Sequence, residues 1–234
     1  FSLEDIRQFT QEQSDMVWVN DGKINVENVF GRSLSLVTRF RDEHISDNLI
    51  TWTPAWNEAL REDRHIFTAC ATWSVKFSIE SSDPQQKNLG RWGLMSAPEG
   101  NANLGGTSMG ITKTCKDKRL AWEFLKFATL STEGARTLNS MGLMTTAKKP
   151  YEEDPSLKSY KSRWFGNQDL GIYYMDHIIP SIKTRTLTSQ DGVIHECLWM
   201  ILNALNRDGN LSSEEAEELL REELQKELKD ITVY

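Results

Sequence analysis

Two apolar stripes near the end of the chain place the strongest constraint on its fold. After Asp191, apolar residues recur every three or four positions, which is the period of a helix with one buried face. The first stripe consists of Val193, Ile194, Cys197, Leu198, Ile201, Leu202 and Leu205. Ser212 then has the spacing of a capping box with Glu215. The second stripe consists of Ala216, Leu219, Leu220, Leu224, Leu228 and Ile231. The pattern predicts two successive amphipathic helices.

Four residues earlier in the chain are predicted to cap helices. Asn25, Thr53, Asp117 and Ser131 each precede a helical stretch, and their side-chain oxygens can accept hydrogen bonds from its first turn. The helix after Asp117 is expected to bury a stripe of Ala121, Phe124, Leu125 and Ala128. Gly142 fits the left-handed position that ends the helix after Ser131. Together these signals predict at least six helices.

Three short runs are predicted to be strands. Ile66–Val75 is rich in small, β-branched and aromatic residues, Trp92–Ala97 ends at a proline, and Ser108–Thr112 follows a loop. The loops between them are Ser81–Gly90 and Glu99–Gly106, by composition. Helices alternating with a few short strands predict an α/β fold in which helices dominate.

The charge and hydropathy of the chain exclude two classes of protein. The chain has 27 basic and 34 acidic side chains, a net charge of −7, whereas a nucleic-acid partner calls for a basic face. No apolar run approaches the roughly 20 residues that a membrane span needs, and the mean hydropathy is −0.51. The first residues, FSLEDIRQFTQEQ, lack the basic start and apolar stretch of a signal peptide. No such peptide is therefore expected within this chain.

No metal site, cofactor site or catalytic constellation is predicted. The three cysteines are far apart, which disfavours a zinc site or a disulfide framework, although one disulfide stays open. Cys70 and Cys197 have apolar neighbours and are expected to be buried free thiols. The histidines show no metal-ligand spacing, and the segment NRDGNLSSEE resembles a calcium loop with Ala204 in the first ligand position. A nucleophile elbow and a phosphate-binding loop are both missing from the sequence.

Eight tryptophans are the remaining sign of a ligand, because a flat apolar ring with one N–H group suits sugars and aromatic ligands. Trp52 and Trp56 flank Thr53-Pro54 and are expected to pack on a helix. Trp92, Trp122 and Trp199 lie on strand or helix patterns and are expected in the core.

Five motifs in order resemble the extracellular solute-binding proteins of ABC importers, of the sugar-binding kind. TACATWSV is similar to a family strand that ends in an exposed aromatic residue, and RWGLMSAP to the strand that closes with proline near the hinge. GGTSMGITKTCKDKRLAWEFLKFATLSTEGARTLNSMG resembles a glycine pair, a strand and two helices of the family. RWFGNQDL and NRDGNLSSEEAEELL are similar to its C-terminal segments. The resemblance spans Val26 to Leu228.

The chain departs from the family in two ways. After Gly142 it reads LMTT, where the family usually has proline, and it is much shorter than the two-lobed family members. The resemblance therefore implies a periplasmic-binding-protein-like fold that lacks the N-terminal part of its first lobe. Residues 1–97 would form a second-lobe segment, residues 98–145 the hinge crossing and a first-lobe segment, and residues 146–234 the return to the second lobe. An exposed apolar patch is expected on the face that the first lobe would cover.

The resemblance also implies a function. A protein of this kind is no enzyme: two lobes close on a solute, here a mono- or oligosaccharide, and deliver it to permease subunits at the membrane. The location implied is the extracellular face of the membrane or the periplasm, with signal and lipid anchor outside this chain. By resemblance, the predicted ligand-binding residues are Trp73, Gly106, Thr107, Trp164, Phe165 and Gln168.

Three alternatives stay open. The ligand could be a peptide, a polyamine or a metal complex, although the tryptophan content favours sugars. The chain could also be a truncated or sensory fragment without a transport role. A hydrolase or transferase would need a convergent nucleophile or carboxylate pair, and the sequence offers neither.

Overall fold

Helices form most of the computed structural model, which describes residues 15–47, 49, 51–62, 64–98, 100–103, 106 and 108–234. The α-helices are α1 (Arg32–Asp42), α2 (Pro54–Arg61), α3 (Thr72–Ser74), α4 (Lys118–Leu130), α5 (Thr132–Ser140), α6 (Lys149–Glu153), α7 (Leu170–Tyr173), α8 (Asp191–Arg207) and α9 (Ser213–Glu227). A wider π-helical turn precedes α1 at Glu27–Gly31, and two more continue α3 at Val75–Glu80 and α7 at Tyr174–Ile178. The helix formed by α3 and Val75–Glu80 together is called the extended α3 below. Single 3₁₀ turns lie at Pro155–Lys158, Arg163–Phe165 and Ile179–Ser181.

The two ends of the described chain meet in one core. β1 (Lys23–Ile24) pairs in parallel with β2 (Thr232–Val233), so that Ile24 lies beside Val233. Helices α1, α8 and α9 pack around this pair, and both predicted C-terminal stripes supply the core, except that Leu219 is 39% exposed. The largest fully buried side chains here are Phe30, Ile24, Leu34, Ile194, Leu198, Leu202, Leu205, Leu220 and Leu224. The helical periodicity therefore identified this core correctly.

A second, smaller core joins the extended α3 to α7. Its buried members are Val75, Ile79, Leu94, Phe165, Leu170, Tyr174 and Ile178. Trp92 and Trp164 pack against this cluster from its edge, half-buried. This core fixes the direction of the helix that carries Trp73.

The predicted helix caps are confirmed. Asn25, Thr53, Asp117 and Ser131 each accept a hydrogen bond from the backbone N–H three residues on. Gly142 has φ +71° at the end of α5, the conformation that glycine adopts at low cost. Gly134 lies where α4 and α5 approach closely, since a Cβ there would be 2.3 Å from the carbonyl oxygen of Phe127. The α4–α5 turn therefore requires glycine.

Two of the predicted strands, Ile66–Val75 and Ser108–Thr112, are wrong in the described part of the chain. Thr72–Ser74 and Val75–Glu80 are helical, because Val75 and Ile79 share one helical face against the second core and this packing outweighs their strand propensity. Residues 108–112 have no partner strand among the described residues and are mostly exposed.

Residues 92–97 are extended but form no sheet with a described strand. Trp92 donates its N–H to the Trp164 carbonyl at 3.0 Å, and Ser96 to the Tyr173 hydroxyl at 3.0 Å. Between them, the Leu94 N–H donates to Gln168 Oε1 at 2.8 Å. The period of two is that of a strand, but two of the three partners are side chains, so no ladder forms.

Helix α4 presents apolar side chains to solvent. None of its residues is buried, and the exposed large ones are Leu120, Trp122, Phe124, Phe127 and Leu130, at 51–63%. The expected burial of Ala121, Phe124, Leu125 and Ala128 is therefore wrong, since Phe124 is 59% exposed and the other three are only partly buried. An apolar patch is exposed here, as expected, while its position on the face that a first lobe would cover stays a prediction. The expectation that Trp122 and Trp199 lie in the core is wrong, since they are 52% and 49% exposed: each lies on an apolar helix but not on its packed face.

Candidate functional site

Two tryptophans stack at the surface near the start of α3. The rings of Trp52 and Trp73 have centroids 5.5 Å apart and planes inclined by 22°. Trp56 lies beneath them, 6% exposed, with its ring centroid 5.8 Å from that of Trp52. Trp52 itself is 54% exposed. More than half of Trp52 is therefore open to solvent at this stack.

Local structure holds both indoles. Trp73 is the second residue of α3, at a helix start where the Ala71 N–H donates to Ser74 Oγ at 3.1 Å. Trp52 immediately precedes the Thr53 cap of α2 and has φ +69°. A bulky residue in this region costs about 1–3 kcal/mol, and such strain clusters at functional sites. Trp52 is therefore held in place by its surroundings.

An acid–histidine pair closes the segment that carries Trp52. His65 Nε2 contacts Asp47 Oδ2, while Asp47 Oδ1 accepts a hydrogen bond from the Leu49 N–H at 3.1 Å. The His65 side chain is only 6% exposed. Its second ring nitrogen, Nδ1, is buried without a hydrogen-bond partner among the described residues. Within that part of the structure, the polar contact of this ring is therefore the one to Asp47.

Three other predicted site residues make contacts within the protein. The Trp164 indole N–H donates to Asp83 Oδ2 at 3.0 Å, and Phe165 is 4% exposed in the second core. Gln168 binds the Leu94 backbone with both ends of its amide, each at 2.8 Å. Burial alone would raise the pKa of Asp83, but hydrogen bonds from Asn88, Lys87 and Trp164 outweigh it and lower that pKa.

Of the two predicted site residues in the glycine-containing loop, Gly106 and Thr107, the structure describes only the first. Gly106 is exposed with φ +139°, a conformation that side chains rarely adopt, and open space surrounds the position of its missing Cβ. Thr107 lies outside the described residues. The backbone freedom of Gly106 agrees with a sharp bend in the chain at this point.

The structure divides the predicted site residues between two places. Trp73 lies at the first turn of the extended α3, whereas Trp164 binds Asp83, which lies just beyond the last turn of that helix. At the usual helical rise, the backbones of residues 73 and 83 are on the order of 15 Å apart. Trp52 joins Trp73 instead. The sequence contains one signal for it, a tryptophan directly before a Thr-Pro helix start, but nothing in the periodicity indicates its exposure.

In the ranges that the structure describes, no three His, Cys, Asp or Glu side chains group closely enough to hold a metal ion. Across those same ranges no helix is long and apolar enough to cross a membrane. What the site offers is an aromatic surface.

Known proteins resemble the chain in sequence and in fold. Residues 11–163, more than half of the chain, match the profile of a family described as bacterial extracellular solute-binding protein. No curated protein sequence matches the chain. One similar solved structure is an extracellular solute-binding protein of family 1, with a TM-score of 0.78 and 18% identity over 97% of this chain and 58% of that chain.

A second similar structure is the galacto-N-biose-/lacto-N-biose I-binding protein of an ABC transporter from Bifidobacterium longum, solved with lacto-N-biose. Its TM-score is 0.72, with 14% identity over 100% of this chain and 60% of that chain. The chain thus spans about three fifths of the length of these two proteins. At such identities the likeness establishes the fold, and the predicted periplasmic-binding-protein-like, helix-rich α/β class is confirmed.

Proposed function

Because the chain belongs to the bacterial extracellular solute-binding protein family, we propose that it binds a small extracellular solute and serves an ABC importer. The family and the fold are those of binding proteins. Members of the family are extracellular, and so is this chain. Permease subunits at the membrane would receive the solute from the closed form of the protein.

The solute we propose is a mono- or oligosaccharide. The observation that carries this proposal is the stacked pair of Trp52 and Trp73, with Trp52 more than half exposed. The C–H face of a pyranose packs well on an indole, while its hydroxyls remain free for polar groups at the rim. A purely ionic ligand, such as a polyamine, would call for a cluster of charges beside the rings.

The remaining predicted site residues stay part of this proposal. Gly106 and Thr107 would offer backbone and hydroxyl contacts. Trp164, Phe165 and Gln168 would support the cleft from the second core. The Trp164 indole binds Asp83, the Gln168 amide binds the Leu94 backbone, and Phe165 is buried. In the same scheme residues 1–97 and 146–234 form one lobe, and residues 98–145 cross the hinge and enter the other.

Isothermal titration of the intact protein with a panel of mono- and oligosaccharides tests the proposal. Binding of one sugar class that weakens at least tenfold in Trp73→Ala is the expected result. Trp199→Ala is the control, because Trp199 is an exposed tryptophan on a different helix, whereas Trp73 is half-buried in the stack. Binding of a peptide or polyamine alone, with no sugar bound, would overturn the carbohydrate proposal and keep the family function.

A further inference from the structure

The conformation of Trp52 needs an explanation. In the described residues, the other non-glycine residues with positive φ are Asp21, His44, Gln86 and Asn167, all polar, and three of these belong to the types that tolerate this region best. Trp52 is bulky and makes its contacts through its ring, which stacks on Trp73. An isolated segment would relax to negative φ and carry the indole elsewhere, so a tertiary contact must oppose that relaxation.

The Asp47–His65 pair is that contact. It joins two residues 18 positions apart, one on each side of Trp52 and α2. The imidazole is almost fully buried and the carboxylate about one quarter exposed, so water competes weakly for the contact. Asp47 also binds the Leu49 N–H. One carboxylate therefore fixes both the beginning and the end of the segment.

The segment is attached to the helix of Trp73 on its other side. Ser82 Oγ donates to Asn57 Oδ1 at 3.1 Å, and Asn88 Nδ2 donates to the Arg61 carbonyl at 2.6 Å. These bonds hold α2 against the extended α3. With α2 fixed, Trp52 lies between two held points, the Asp47 carboxylate and the Thr53 cap of α2.

We propose that Asp47 and His65 are positioning residues for the binding site: their contact holds Trp52 in its left-handed conformation, stacked on Trp73, and thereby sets the affinity for the sugar. The proposal rests on the proposed function, in which this stack contacts the solute. Apparent affinity falls in proportion to the fraction of molecules that are binding-competent. Releasing Trp52 so that one molecule in about ten remains stacked would weaken binding about tenfold.

A ligand-free measurement tests the positioning itself. Two indoles at 5.5 Å couple electronically, and the contribution of Trp52 to the resulting circular-dichroism couplet is the difference between the protein and its Trp52→Phe variant. His65→Leu should abolish this difference, whereas His65→Gln, which can still donate to Asp47, should retain most of it. His177→Leu, at an exposed histidine, should change nothing. An unaltered couplet in folded His65→Leu would overturn the proposal.

A double-mutant cycle tests the effect on binding. His65→Leu should weaken sugar binding about tenfold in the natural background and should add no loss in the Trp52→Ala background, because His65 acts through Trp52. An equal loss in both backgrounds would show another route and overturn the proposal. Asp47→Asn provides a second variant should His65→Leu fail to fold. If Trp52→Ala and Trp73→Ala both bind sugar normally, the proposed binding site is wrong. The circular-dichroism couplet of His65→Leu then still shows whether Asp47 and His65 position Trp52.

Discussion

At the scale of single residues, buried charge is concentrated at the start of α8. Asp191 Oδ2 pairs with Arg185, whose guanidinium also lies 3.7 Å above the Trp18 ring, and Asp191 Oδ1 accepts bonds from the Thr188 N–H and hydroxyl. Both charged side chains are nearly buried. Removing one partner of such a pair leaves the other charge uncompensated, which costs more than the pair gains.

Asp191→Asn should therefore lower the free energy of unfolding by about 3–5 kcal/mol at pH 7. Burial alone would raise the pKa of Asp191, but the Thr188 and Arg185 contacts outweigh it, so the pKa in the folded protein is lowered. The stabilisation is thus present above the ordinary aspartate pKa of about 3.9 and is lost as pH falls through the lower folded value. Urea unfolding of the natural protein and of Asp191→Asn, at pH values from 7 to 3, should show the difference between their free energies of unfolding become smaller as the pH falls. Asp230→Asn, at an exposed position, should stay within about 0.5 kcal/mol of the natural protein.

The three thiols should differ in reactivity. Burial raises the pKa of the Cys70 thiol to about 11, and burial followed by the charges of Glu223, Glu227 and Glu196 does the same for Cys197. Because the thiolate is the nucleophile, a disulfide reagent at pH 8 should label Cys115 rapidly and the other two slowly. Cys115→Ser should remove the fast phase, and labelling in denaturant should recover every remaining thiol. Equal rates for all three in the native protein would contradict this.

At the scale of elements, α9 depends on its first turn. Ser212 Oγ accepts from the Glu215 N–H at 3.1 Å, and the Glu215 side chain accepts from the Ser212 N–H at 2.9 Å. Ser212→Ala should cost about 1 kcal/mol of stability, since it removes half of this box. Thermal unfolding measures the loss, and Ser213→Ala, one position inside the helix, should cost clearly less. Equal losses would mean that the box contributes nothing specific.

The elements that could be predicted from sequence are those whose own residues determine them. The helices after Asp191 and Ser212 were correct because the apolar stripe and the cap lie within each segment. For Trp92–Ala97 the sequence predicts the extended shape but not the partners, which are the Trp164 carbonyl and two side chains 74 and 77 residues along the chain. The Trp52–Trp73 stack was missed for the same reason, since it depends on a contact between distant segments.

At the scale of the whole molecule, the apolar surface is unevenly covered. Two cores bury the C-terminal stripes and the extended α3, whereas α4 leaves Leu120, Phe124 and Phe127 exposed on one helical face. A contiguous apolar stripe of this kind marks an interaction surface. The chain spans about three fifths of the structures it resembles, and in the scheme proposed above residues 98–145 enter the other lobe.

We expect the chain of residues 1–234, prepared alone, to bind the apolar dye ANS and to self-associate as its concentration rises, because this stripe is open to water. Replacing Phe124 and Phe127 together by serine should reduce both effects, while the helix remains capped by Asp117. Sedimentation at several concentrations and dye fluorescence measure the change. Phe77→Ser is the matched control, as Phe77 is similarly exposed on another helix. A chain that stays monomeric and does not raise the fluorescence of the dye would contradict the exposure of this face. A loss of self-association in Phe77→Ser alone would place the self-association surface on the extended α3 instead.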